Sequence, residues 1–229
     1  MDTIKVIGFD ADDTLWENGV HFKEMEATCC QLMEAYVSAD EMSRLLYRIE
    51  QQNMPWYGYG VMAFTLSLIE ACIEGSGGRV PASVIKRILN LGRDVLGRPI
   101  RLLSGVKQVL PLLQSHYKLI VVTKGDLLDQ ERKLSASGLL PYFHHIEVVT
   151  EKHVSNYSRL FEVLDVRPCE FLMVGNSLRS DIVPVLALGG KAVHIPQPEV
   201  WAHENADIPN QEYMTIRSMD DLPAILRGC

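Results

Sequence analysis

Short apolar runs recur along the chain at about strand length: IKVIGF (4–9), KLIVVT (118–123), HIEVVT (145–150), FLMVGN (171–176) and AVHIP (192–196). Most are rich in valine and isoleucine and lack strict alternation of apolar and polar positions. That pattern predicts parallel strands covered on both faces, because such strands turn neither side to water. Helix-compatible segments at 126–137, 154–164 and 179–188 lie between the later runs. Strand and helix thus alternate from about residue 105 onward, which predicts a doubly wound, Rossmann-like α/β core with a parallel sheet.

The rhythm breaks between Trp16 and about Pro99. Apolar residues there recur with helical spacing through 22–37, 40–52, 61–74 and 82–96, with breakers MPWYGYG (54–60) and GSGGRVP (75–81) between them. An all-helical insert at 18–97 follows, leaving the core after the first strand and returning near GRPIRLLSG. The α/β core is then discontinuous, built from 1–17 and 98–229.

The first strand runs into VIGFDADDTLW (6–16), which gathers Asp10, Asp12 and Asp13 within four positions. Like charges repel, and such a cluster is tolerable when a divalent cation neutralises it; hard oxygen ligands suit Mg²⁺. In open parallel sheets ligands bind beyond the carboxyl ends of the strands. The other strand ends complete a constellation. TKGD (123–126) offers the Thr123 hydroxyl and the Lys124 N–H at a strand–helix turn. TEK (150–152) ends in Lys152, a point charge for the same anion, and GNSLRSD (175–181) brings Asn176 and Asp181. Phosphoryl transfer needs this combination of an in-line nucleophile and cations around the equatorial oxygens.

Charge and composition narrow the partners. The 229 residues carry 22 basic and 29 acidic side chains, a formal net charge of -7, which leaves no basic footprint for a nucleic acid polymer or an anionic membrane. No stretch approaches the roughly 18 apolar residues of a membrane helix, and the N-terminus carries no signal-peptide pattern. The five cysteines, at 29, 30, 72, 169 and 229, form no C-x-x-C pair and no metal spacing. They read as reduced thiols in a cytoplasmic protein. In the insert, the aromatics of MPWYGYG, Tyr57 and Tyr59 among them, are flanked by glycines. They form either a loop that closes on substrate or an interhelix turn packed on the bundle. Trp16 either faces the pocket or anchors the start of the insert. Arg44 and Arg48, four apart, meet a substrate anion or form a solvated face.

In its four strand-end motifs the chain resembles the haloacid dehalogenase-like hydrolase superfamily. Asp10-Ala11-Asp12-Asp13-Thr14 is similar to that family's D-x-D-x-T/V, Thr123 to its Ser or Thr closing the next core strand, and Lys152 to its lysine. GNSLRSD resembles its acidic strand end, with Asn176 where an aspartate is common and without a proline after Lys152. The resemblance covers about 3–17 and 98–227, and the insert sits where the family places a cap domain. It implies Asp10 as nucleophile and Asp12 as general acid and then base. Thr123, the Lys124 N–H and Lys152 would hold the phosphoryl group. Trp16, Tyr57 and Tyr59 are candidate substrate contacts on the residue reading alone, not on the resemblance. Mg²⁺ would be held by Asp10, the backbone carbonyl of Asp12, Asp181 and, directly or through its neighbours, Asn176. Retention of Asp12 favours an oxygen leaving group over a halide, so the implied activity is a phosphatase acting on a small phosphorylated metabolite. A 2-haloacid dehalogenase, a phosphosugar mutase and a non-catalytic phosphate- or Mg²⁺-binding regulator are the alternatives on the same scaffold.

Overall fold

Four consecutive buried residues, Val6–Phe9, form strand β1 at the centre of a parallel sheet in a computed structural model that describes residues 4–198 and 212–228. The other strands are β2 (Lys118–Lys124), β3 (His145–Val149), β4 (Phe171–Gly175), β5 (Lys191–His194) and β6 (Met214–Thr215), in the order β3-β2-β1-β4-β5-β6. Every pairing is parallel, and Phe9 stands level with Val121 of β2 and Val174 of β4. The strand order reverses at β1, and a ligand site is expected at that switch point.

Both faces of the sheet are covered, as the unbroken apolar runs require. Ile7, Phe9, Leu119, Val121, Leu172 and Val174 point to one face, beneath Val109, Leu110 and Leu113 of helix α5 (Val106–Gln114). Val6, Ile120, Val122, Phe171 and Met173 point to the other, against Tyr157, Leu160 and Phe161 of helix α7 (Val154–Leu164). Alternate residues of each strand thus serve opposite cores. Gly8 belongs to the second face; a Cβ there would come within 2.6 Å of the Phe171 ring.

The described chain divides into two compact units. One comprises the residues up to Gly19, Ile100–Lys124 and those from Gln130 onward; the other comprises Val20–Pro99 with Gly125–Asp129. In the first, the outgoing and returning chains are tied together by a bridge between Trp16 and Leu102 and by the Glu17 N–H donating to the Arg101 carbonyl at 3.0 Å.

The second unit is helical, with α1 (Gly19–Met33), α2 (Ala39–Tyr57), α3 (Val61–Gly75) and α4 (Ala82–Leu96) packed around Met33, Leu46, Phe64, Leu68 and Ile88. Ser38 caps α2 in a reciprocal capping box with Glu41. The sequence predicts a break at 54–60, but α2 continues to Tyr57 through Pro55 and stops at Gly58, whose φ is 67°. Proline's fixed φ suits a helix, and in the last turns the missing N–H deprives only the carbonyl of Gln51, an exposed residue, of its partner. Tyr57 is therefore helical. Arg44 and Arg48 form a solvated face, Arg44 bonding the Asp40 carbonyl and Arg48 pairing with Glu74.

One other expectation is corrected near the sheet, and one strand goes unannounced by the sequence. The helix predicted at 179–188 is a π-turn, Leu178–Ile182, followed by the short helix α8 (Val183–Ala187), with Pro184 in its first turn unable to continue regular hydrogen bonding from upstream. Strand β6 has only two residues, too few to carry a periodic signal.

Glu170, just before β4, is paired with Lys5 at 2.6 Å and with Arg167 at 3.0 Å. Hydrogen bonds from Arg167 and Lys5 hold its carboxyl down at about 2. A lowered carboxyl stabilises the fold above the unfolded value of 4.5 and loses that contribution as pH falls through about 2. Glu170→Gln is accordingly expected to lower the melting temperature at pH 7, with the deficit narrowing in melts repeated at pH 4 and pH 2.5. A deficit independent of pH would show that the pairs contribute only packing.

Candidate active site

Asp10 follows β1 directly, and its N–H donates to the Val174 carbonyl at 2.9 Å, extending the β1–β4 ladder by one step. Its side chain is buried. Lys152, from the loop between β3 and α7, is buried too, and its ammonium bridges Asp10 Oδ1 at 2.5 Å and Asp181 Oδ1 at 2.7 Å. Asp181 comes from the π-turn after β4; its Oδ2 accepts the Ser177 N–H at 3.0 Å. The turn presses Asp181 against Gly175, where a Cβ would overlap the carboxylate. The widened turn thus delivers Asp181 to a carboxylate 171 positions earlier in the chain, and glycine is required beneath it.

Thr14 links a further oxygen to the cluster. Its hydroxyl lies 3.2 Å from Asp10 Oδ2 and 3.4 Å from Asn176 Oδ1. Asp10, Asp181 and Asn176 therefore form an oxygen-only donor set, which fits a hard divalent cation. Among the described residues no three of His, Cys, Asp and Glu converge as a metal-binding group.

Charge is unevenly distributed over the neighbouring carboxyls. Burial raises Asp10 to about 7, with Asp181 and Asp12 adding to the effect and Lys152 opposing it. Burial and the two carboxylates act oppositely on Lys152, and the carboxylates prevail, raising it above the ordinary lysine range. At Asp12 burial pushes upward but is outweighed by the Lys133 ammonium and by hydrogen bonds from Lys133, Trp16 and Gln130, so its carboxyl is held below the usual value. Two carboxyl groups two residues apart are thereby driven in opposite directions, a recurrent sign of divided acid–base roles.

The donors to Asp12 are Lys133 Nζ at 2.6 Å and Trp16 Nε1 at 2.7 Å on Oδ1, and Gln130 Nε2 at 2.8 Å on Oδ2. Lys133 and Gln130 lie on α6 (Leu127–Ser137), which follows β2. Sequence reading misses both: a lysine and a glutamine on a helix look solvated, although here they share the buried stripe of Leu134 at i, i+3 and i+4 spacing. Gln130 Nε2 also donates to the Lys124 carbonyl at 2.9 Å, while its Oε1 is buried with no partner among the described residues. Such an orphan costs about 1–3 kcal/mol.

Asp13 serves its own loop. With φ of 61° it accepts the Asn18 N–H at 2.8 Å and the Gly19 N–H at 2.9 Å, closing the start of α1. Burial still carries its carboxyl up to about 6 despite those bonds.

A sequence model described as haloacid dehalogenase-like hydrolase matches residues 4–189. The chain belongs to that family. Similar to it is a haloacid dehalogenase-like family hydrolase from Xanthomonas campestris, 36% identical, with a TM-score of 0.88 over 99% of this chain and 91% of the other. N-acylneuraminate-9-phosphatase from Homo sapiens is 22% identical over 100% of this chain and 96% of that protein. Glyceraldehyde 3-phosphate phosphatase from Pyrococcus furiosus is 24% identical over 99% and 93%.

Within this haloacid dehalogenase-like fold, the structure brings Asp10, Lys152, Asp181 and Asn176 together through Thr14 and shared hydrogen bonds. Thr123 is buried near the end of β2, level with Val148, and Lys124 donates to Ser180 Oγ at 3.0 Å. Trp16 departs from its expected role as a substrate contact. It is fully buried in the core, where its ring packs and its N–H is spent on Asp12. Tyr57 and Tyr59 belong to the helical unit, Tyr57 as the exposed last residue of α2 and Tyr59 between Gly58 and Gly60. No helix among the described residues is long and apolar enough to cross a membrane.

Proposed function

We propose that the protein is a Mg²⁺-dependent phosphatase that hydrolyses a small phosphomonoester through an aspartyl-phosphate on Asp10. The observation that carries this reading is the pair of unlike carboxyls after β1: Asp10, buried against Lys152 and Asp181, and Asp12, held ready by three donors. The phosphatase names of two full-length relatives support it.

Asp10 attacks phosphorus with its carboxylate while the ester oxygen departs with the bond's electrons. Asp12 supplies the proton that this oxygen needs. The negative phosphoryl group beside Asp12 favours its protonated form at this stage, against the influence of Lys133. Asp12 then takes a proton from water, whose oxygen attacks phosphorus and restores the Asp10 carboxylate. Lys152 holds Asp10 in place and offers positive charge to the phosphoryl oxygens, alongside the Thr123 hydroxyl and the Lys124 N–H. Asp10, Asp181, Asn176 and the backbone carbonyl of Asp12 would hold Mg²⁺, since the Asp12 carboxylate is already committed to its three donors. When bound, the cation offsets the surplus negative charge of the site and of the substrate. The helical unit would act as the cap that sets specificity, with Tyr57 and Tyr59 among its candidate contacts, and cysteines outside disulfides among the described residues suit a cytoplasmic setting.

The test is phosphate release by the purified protein from a panel of phosphorylated metabolites, including N-acylneuraminate 9-phosphate and glyceraldehyde 3-phosphate. Release is expected with Mg²⁺ and is expected to fall to background in EDTA. Turnover that survives EDTA, or no turnover across the panel, would remove the proposal.

A further inference from the structure

The donors around Asp12 distinguish its two oxygens. A carboxylate oxygen offers two lone-pair directions. Those of Oδ1 are taken by Lys133 Nζ at 2.6 Å and Trp16 Nε1 at 2.7 Å, whereas Oδ2 receives Gln130 Nε2. Gln130 cannot turn its amide over without setting Oε1 against two oxygens, because Nε2 serves both Asp12 Oδ2 and the Lys124 carbonyl. Its orphaned Oε1 is consistent with an amide held for the site rather than for stability. Lys133 itself is buried, so its ammonium is held in place rather than free to sample solvent.

We propose that Lys133 is a positioning residue that, with Trp16, saturates Asp12 Oδ1 and leaves Oδ2 as the oxygen exchanging protons with the leaving alcohol and then with water. The proposal rests on the phosphatase reading above. In the first step the Oδ2–H bond breaks, its proton joins the ester oxygen, and the P–O bonding pair becomes a lone pair of the alcohol. In the second step Oδ2 takes the proton from the attacking water. Without Lys133, Oδ1 regains a lone pair and the carboxyl can rotate, so the proton is no longer reliably presented to the ester oxygen.

A merely structural lysine would affect all substrates alike, whereas a lysine that presents a proton affects those whose leaving group needs one. An alkoxide is a strong base and leaves poorly unprotonated; p-nitrophenoxide leaves without help. For Lys133→Met, the ratio of kcat/KM for p-nitrophenyl phosphate to that for an alkyl phosphate substrate is expected to rise about 100-fold, the lower range of acid catalysis. Asp12→Asn should raise the same ratio, and kcat/KM excludes the later hydrolysis of the acyl phosphate. Trp16→Phe, which removes the other donor to Oδ1, should move the ratio in the same direction and carries the test if Lys133→Met does not fold. Equal losses on both esters would overturn the positioning role while leaving the phosphatase reading intact. A wild-type protein inactive on both would overturn that reading and this proposal with it.

Discussion

Asp10→Asn is expected to abolish phosphate release and, in EDTA, to melt at a higher temperature than the wild type. The first effect follows from the loss of the only proposed nucleophile. The second follows from charge. Asp10, Asp181 and Lys152 are all buried, so the cluster holds two carboxylates against one ammonium. Neutralising Asp10 leaves a balanced pair. The folded carboxyl, raised from 3.8 to about 7, disfavours the folded state once ionised. That penalty is absent below pH 3.8, grows as pH rises toward 7 and is complete above it. Asparagine, which does not ionise, should therefore gain nothing at pH 4 and most at pH 8. A destabilisation of a few kcal/mol corresponds to about 10 °C for a chain of this size, and the gain is expected on that scale. Thermal melts at both pH values with a phosphate-release assay check both effects; residual turnover, or a variant less stable than wild type at pH 8, would count against the assignment.

Lys152→Met should have the opposite effect on stability with the same loss of activity. Removing the ammonium leaves Asp10 and Asp181 buried without their shared counter-charge. Breaking a buried ion pair from one side costs about 3–5 kcal/mol, again about 10 °C, but downward. Added Mg²⁺ should restore part of the deficit, because ligand binding to the folded state stabilises it by mass action. Melts with EDTA and with Mg²⁺ measure both; a variant as stable as wild type in EDTA would mean that the carboxylates do not depend on Lys152. The opposite signs expected for two neighbours that share one hydrogen bond separate electrostatic imbalance from a general loss of packing.

The apolar runs made the fold legible because a strand buried on both faces leaves an unmistakable composition, and β1 to β5 lie at or within a residue or two of their predicted places. The helix predicted over 40–52 extends to Tyr57 because Pro55 sits in a terminal turn, where its missing N–H costs little. The turn at Leu178–Ile182 departs from the regular helix that 179–188 predicts, because the bond from the Ser177 N–H to Asp181 that accompanies it leaves no periodic mark on the sequence. Trp16 illustrates the same difficulty for function: beside an acidic motif it could face a pocket or the core, and only its burial and its bond to Asp12 decide between them.

The linear chain alone determined the parallel α/β core, the helical interruption and the acidic motif after the first strand, since periodicity and motif spacing are local properties that chemistry writes directly into residue order. Tertiary structure decided which cation each carboxylate meets: Lys152 for Asp10 and Asp181, Lys133 for Asp12. Those partners lie 142 and 121 positions from Asp10 and Asp12. A charge's energy depends on burial and on neighbours a few ångströms away, and folding alone brings such distant residues into contact.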